Sequence, residues 1–180
     1  MKTAVLFIAL SGFLLIGAQT ALVPWDVKRH PECSICGMDR QHYAQSRMLI
    51  DYKEGAVGTC SIHCTSADIA VNRQKHVQGI AVADYGGKEL IPAQTATWVI
   101  GGDRSGVMTQ RAKWAFGKRA DAEAFVKQHG GSLSSFDDAV KATFEDMYAD
   151  IKAIRERDQE RKAHRMRQEP MQVPATRANP

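Results

Sequence analysis

The sequence predicts an α+β protein: two small units, each of short strands with one helix, followed by a C-terminal amphipathic helix. Three observations predict it. Short apolar or β-branched runs punctuated by turn residues recur in two series, over 33–76 and 77–136. Each series holds one stretch whose apolar residues fall at helical rather than alternating spacing. From residue 137 on, Val140, Phe144, Met147, Tyr148, Ile151 and Ile154 mark one face of a longer helix at i, i+3/i+4, i+7 spacing.

Taken in order, the chain opens with Lys2 and two apolar runs, 4–10 and 13–18, separated by Ser11-Gly12. A positive start, an apolar stretch and small residues describe a secretory signal peptide over 1–20, cut after Ala18 or Thr20. Ala21-Leu22-Val23 lies close behind, so an uncleaved leader holding the protein at a membrane is the other expectation. Either way the chain is expected in a periplasm-like compartment. Residues 21–32 are polar and Pro-bearing, as in a linker. The runs 48–52 and 56–62 flank Lys53-Glu54-Gly55 and predict a hairpin, and 65–73 predicts a short helix. The second series predicts strands over 80–85 and 96–100, extended chain over 89–92, an apolar element at 114–116, a helix over 120–129 stopped by Gly130-Gly131, and a return strand near 133–136. The C-terminal helix is predicted over 137–168, with its apolar stripe ending at Ile154. Pro170, Pro174 and Pro180 predict a disordered tail over 169–180.

At 180 residues the chain suits one ordinary domain or two very small ones. A net charge of +4, with no basic cluster interleaved with aromatics, argues against nucleic acid as a partner. No nucleophile elbow, phosphate loop or dinucleotide fingerprint is present, and the carboxylates form no acid–base pair. Nothing in the sequence speaks for an enzyme.

Chemistry concentrates in the cysteines. Cys33-Ser34-Ile35-Cys36-Gly37-Met38 places two thiols on one turn and a thioether just behind them. CxxC alone serves zinc, disulfide exchange or Cu(I). Met38 favours Cu(I), because a thioether is a soft donor that zinc uses poorly and thiol exchange does not use. Cys60-Ser61-Ile62-His63-Cys64 puts two more thiols one helical turn apart, with His63 beside them. Cys33, Cys36, Cys60 and Cys64 could together close a four-sulfur site, and in an oxidising compartment they could equally form two disulfides. Met108 lies in the loop-like stretch 105–109, where spacing alone reads it as filler. His30, His42, His76, His129 and His164 are isolated.

The Cys-Ser-Ile-Cys-Gly-Met element resembles the CxxCGM start of the NosL family. The resemblance continues through 82–85, 93–100, Val107-Met108, Trp114-Ala115-Phe116, 120–125 and 130–133, covering roughly residues 30–140 in order. It implies a periplasmic Cu(I) chaperone that delivers copper for assembly of an enzyme such as nitrous-oxide reductase, and a fold of two ββαβ units. It implies metal binding through the CGM element and a downstream Met, which map to Cys36, Met38 and Met108. The partner implied is a copper-receiving apo-enzyme or membrane assembly complex, with the chaperone a monomer or weak dimer. Two features depart from the family pattern. The leader has no lipid-accepting Cys, and Cys60-x-x-x-Cys64 is instead similar to the spacing of TRASH/YHS-type heavy-metal modules. The alternatives are a structural Zn²⁺-binding interaction module built on the four cysteines, and a thiol oxidoreductase with no metal requirement.

Overall fold

The computed structural model describes residues 23–168. The leader predicted over 1–20 and the tail predicted over 169–180 lie outside the described residues. Chain order among the described residues is α1 (Trp25–Arg29), β1 (Met48–Tyr52), β2 (Gly55–Thr59), α2 (Ile62–Val71), β3 (Val77–Ala83), β4 (Leu90–Pro92), β5 (Thr97–Ile100), β6 (Lys113–Phe116), α3 (Arg119–His129), β7 (Ser132–Ser134) and α4 (Phe136–Gln168).

The strands form two antiparallel sheets, ordered β2-β1-β3-β4 and β6-β5-β7. Each grows from the same ββαβ string, β1-β2-α2-β3 and β5-β6-α3-β7, so the α+β class and the paired units hold. The division between them differs from the expected one at 76/77. β3 pairs with β1 (Ile50 opposite Ile80) and β4 pairs with β3, which carries the first sheet to Pro92. Short connections and strong patterning place strands along the chain, but not which sheet a given strand joins.

β1 is buried at every position except Asp51. Its Met48, Ile50 and Tyr52 meet Ile62 of α2, Ile80 and Val82 of β3, Trp98 of β5 and Ala139 of α4 in one core. A second core joins Val99, Trp114, Phe116, Ala122 and Phe125 of the second unit to Cys33, Cys60 and Cys64 of the first. The cysteines therefore lie on the seam between the units.

Residues 25–29 form a helix inside the stretch expected to be a linker. Pro24 stands at its N-cap, and Asp26 and Val27 are buried. Asp26 is the reason this segment docks. Its carboxylate meets Arg40 Nη2 at 2.9 Å and Arg47 Nε at 2.9 Å, with all three side chains at most 1% exposed. Arg40 donates further to the carbonyls of Thr59, His30 and Met48, and Arg47 to those of Ala44 and Lys88. A buried guanidinium is tolerable only when its donors are met in this way. Gly58 makes room for it, since a Cβ there would stand 2.7 Å from Arg40 Cζ.

α4 starts on a reciprocal cap, with Ser135 Oγ accepting from Asp138 N at 3.1 Å and donating to the Asp138 carboxylate. Its buried residues are Ala139, Ala142, Thr143 and Asp150. Half of the expected apolar stripe is turned outward: Phe144 and Tyr148 are 49% and 80% exposed, and Ile151 is exposed as well, whereas Val140 packs against the first core and Met147 and Ile154 are partly buried. Small residues win the inner face because they let α4 approach α2 closely, and Asp146 and Asp150 are held toward it by Arg111 and Lys113 and by Gln110 N at the entry to β6.

Candidate metal centre

The turn carrying the first two cysteines is closed by its own backbone. Cys33 N donates to Met38 O at 2.9 Å and Gly37 N to Cys33 O at 2.8 Å. Gly37 adopts φ +72°, a conformation in which any Cβ is strained, so the glycine of the CGM element is set by geometry. Ser34 N donates to Gly58 O and ties the turn to β2. Cys60 follows β2 directly and Cys64 sits in the first turn of α2, four residues on. Ser46 Oγ donates to Cys60 O at 2.8 Å and anchors that corner.

These elements bring Cys33, Cys36, Cys60 and Cys64 together, with all four sulfurs within 4.8 Å of one another. Cys36 and Cys60 Sγ stand 3.6 Å apart, and Cys60 and Cys64 Sγ 3.7 Å. All four are free thiols. Cys33, Cys60 and Cys64 are buried, whereas Cys36 is half-buried at the rim. Met38 and Met108, both partly buried, pack against the hydrophobic core that contains Cys33, Cys60 and Cys64. The four cysteines singled out from the sequence thus gather in one place. His63 does not join the sulfurs. It turns Nδ1 toward Asp150 Oδ2 of α4, 3.5 Å away, an ion-pair distance at which neither atom makes a hydrogen bond.

The electrostatics of the group are those of sulfurs sharing protons. Hydrogen bonds from Cys36, then Cys60 and Cys64, pull the Cys33 thiol below its ordinary range. Its bond with Cys33 opposes ionisation of Cys36, but Cys60 and Cys64 outweigh it and lower that thiol too. Cys64 is driven the other way by its bonds to Cys33, Cys36 and Cys60, and by burial. Four thiolates cannot sit this close in a dry pocket without a cation among them. The walls are apolar: Val99, Trp114 and Phe116 stand at exposures of 3% or less. Burial likewise pushes His63 below its ordinary range, against the pull of Asp150.

Met108 is held from outside by α4. It adopts φ +61°, a strained backbone for a non-glycine residue. Two residues on, Gln110 N donates to Asp150 Oδ1 at 2.9 Å, while Lys113 Nζ and Arg111 Nε meet Asp146 Oδ2 at 2.6 and 2.9 Å. Asp150 therefore touches both the Met108 loop and His63, the neighbour of Cys64. Met108 also lines a cleft of about 280 Å³ with Ser105, Asp150 and Arg157, an opening between the loop and α4.

Asp26, Arg40, Arg47, Asp146 and Asp150 are the supporting residues that sequence reasoning missed. An isolated Asp or Arg reads as surface unless its partner is known, and these partners lie 14 residues or more away. No pattern in the sequence signals them.

Among known proteins, the family model described as NosL matches residues 24–144. A solved structure, that of the copper chaperone NosL from Shewanella denitrificans, is similar at 26% identity, covering 59% of this chain and 87% of its own, with a TM-score of 0.48. No curated protein matches.

Proposed function

The chain belongs to the NosL family, and from that premise we propose that it is a Cu(I) metallochaperone, not an enzyme, which carries copper in the periplasm to an apo-enzyme or its membrane assembly complex, nitrous-oxide reductase being the recipient the family suggests. One observation carries the reading: four free thiols within 4.8 Å of one another, with Met38 and Met108 packed against the hydrophobic core that contains Cys33, Cys60 and Cys64. Thiolate plus thioether is the donor set of a soft monovalent ion.

Delivery follows from the gradient of burial. Cys36 and Met38 lie at the rim and are the donors an incoming ligand reaches first. A thiolate or thioether from the recipient adds to copper before a rim donor leaves, so the ion is never bare. Cys33, Cys60 and Cys64 behind them keep water and oxidants out while the ion waits. Met108, supplied by the other unit, closes the pocket, and a shift of its loop in the cleft beside α4 opens it.

A second reading has a specific observation in its favour. A tetrahedral Zn²⁺ with Zn–S of about 2.3 Å needs sulfurs about 3.8 Å apart, close to the 3.6 and 3.7 Å separations here. A Cys₄ zinc site leaves Met38 with nothing to do. The test is anaerobic competition between Cu(I) and Zn²⁺ for the reduced protein, with Met38→Leu in parallel. Retention of Cu(I) against excess Zn²⁺, weakened at least several-fold by Met38→Leu, is the expected result. Zinc held in preference, with no effect of the substitution, assigns the structural role instead.

A further inference from the structure

The donors outnumber what one Cu(I) needs. A single Cu(I) ion is satisfied by two or three thiolates, yet four thiols lie within 4.8 Å of one another here, with Met38 and Met108 packed against the core that contains three of them. Resting on the copper reading above, we propose that the site holds two Cu(I) ions as a thiolate-bridged pair, with Cys60 as the bridge.

Cys60 has two close sulfur neighbours. Its sulfur lies 3.6 Å from that of Cys36 and 3.7 Å from that of Cys64, and it is fully buried. A sulfur with two such neighbours is placed to donate one lone pair to each of two ions. One ion then sits on the rim side, between Cys36 and Cys60 with a thioether of Met38 or Met108. The other sits on the inner side, among Cys60, Cys64 and Cys33. Each cysteine that becomes a ligand gives its proton to solvent, and copper and sulfur keep their oxidation states.

Charge favours the pair. Four thiolates with one Cu(I) leave three negative charges in a dry pocket, whereas two Cu(I) leave two, the same residue as Zn²⁺ on four cysteines. Arg40, Arg47 and Asp26 together carry one net positive charge, fully buried, with Arg40 near enough to Cys33 to interact electrostatically with it. Val99, Trp114 and Phe116 exclude the water that would break bridged thiolates apart. The pair also gives the two-sided burial a use: the rim ion is the one handed on, and the inner ion holds the cysteines in place meanwhile.

The experiment is an anaerobic titration of the reduced full-length chain with Cu(I) against a chromophoric Cu(I) chelator, following bound metal and the luminescence of shielded copper–thiolate clusters. Two ions per chain with emission rising toward the second equivalent are expected, and Cys60→Ser should halve the capacity to one and abolish emission. Should Cys60→Ser fail to fold, Cys36→Ser at the half-buried rim gives the same loss of one ion. Saturation at one ion that engages all four cysteines overturns the pair while leaving the chaperone reading intact. Failure to hold any Cu(I) against the chelator overturns both.

Discussion

Asp26 shows how much of this molecule rests on single charged residues. Its carboxylate is shared by Arg40 and Arg47, and all three side chains are at most 1% exposed. Burial opposes its ionisation, but Arg47 and Arg40 outweigh burial and hold its pKa below the ordinary 3.8. A folded pKa below the unfolded one means that the ionised carboxylate stabilises the fold above the ordinary value. That contribution fades as pH falls through the folded pKa. Asp26→Asn leaves two buried guanidiniums without their anion and should cost about 3–5 kcal/mol at neutral pH. Urea unfolding across pH checks both halves: the gap between wild type and variant should be widest near pH 7 and narrow below about pH 4. A gap constant across that window contradicts the triad's role. At this scale the sequence was legible only in part. The cysteines, Met38 and the CGM glycine announce themselves by type and spacing, because soft-metal chemistry has few side chains to choose from, whereas Met108 was marked only by the family resemblance. Asp26, Arg40 and Arg47 do not, because what makes them structural is a partner brought by the fold.

At the scale of elements, periodicity found nearly every strand and helix, and failed on orientation. The outward stripe of α4 is the clearest case. Phe144, Tyr148 and Ile151 obey the helical period, yet the inner face is taken by Ala139, Thr143, Asp146 and Asp150. The period identifies a helix. It cannot tell a core-facing stripe from an exposed one when the opposite face is small and acidic and meets buried Lys113. α1 was missed for a related reason: five residues are too few to show a period, and its docking depends on Asp26. The function of α4 follows from its inner face. Asp150 accepts from Gln110 N and faces His63, so it fixes the Met108 loop relative to Cys64. Asp150→Ala should lower Cu(I) affinity about tenfold, as loss of an outer support for a ligand does, with circular dichroism unchanged. Tyr148→Ala, two residues away on the outer face and 80% exposed, should shift stability by less than about 0.5 kcal/mol and affinity not at all. Equal effects from the two variants would mean that α4 does not support the site through Asp150.

Across the whole molecule, two ββαβ units meet face to face with the sulfurs on the seam. The first unit supplies all four cysteines and Met38; the second supplies Met108 and the apolar wall of Val99, Trp114 and Phe116. Neither half alone is a shielded site. Among the described residues no helix is long and apolar enough to cross a membrane. The CxxC and CxxxC spacings suggested a four-sulfur group, and the resemblance to the NosL family suggested Cys36, Met38 and Met108. The structure groups the four cysteines and packs Met38 and Met108 against the core that contains three of them. The sequence could not show that they meet, because convergence across a domain seam is a property of packing. The most direct test of the account is X-ray absorption at the copper edge on the reduced, Cu(I)-loaded protein. The account predicts a first shell of sulfur alone, altered in both Met38→Leu and Cys36→Ser. A first shell containing nitrogen or oxygen donors, or one indifferent to both substitutions, would contradict it.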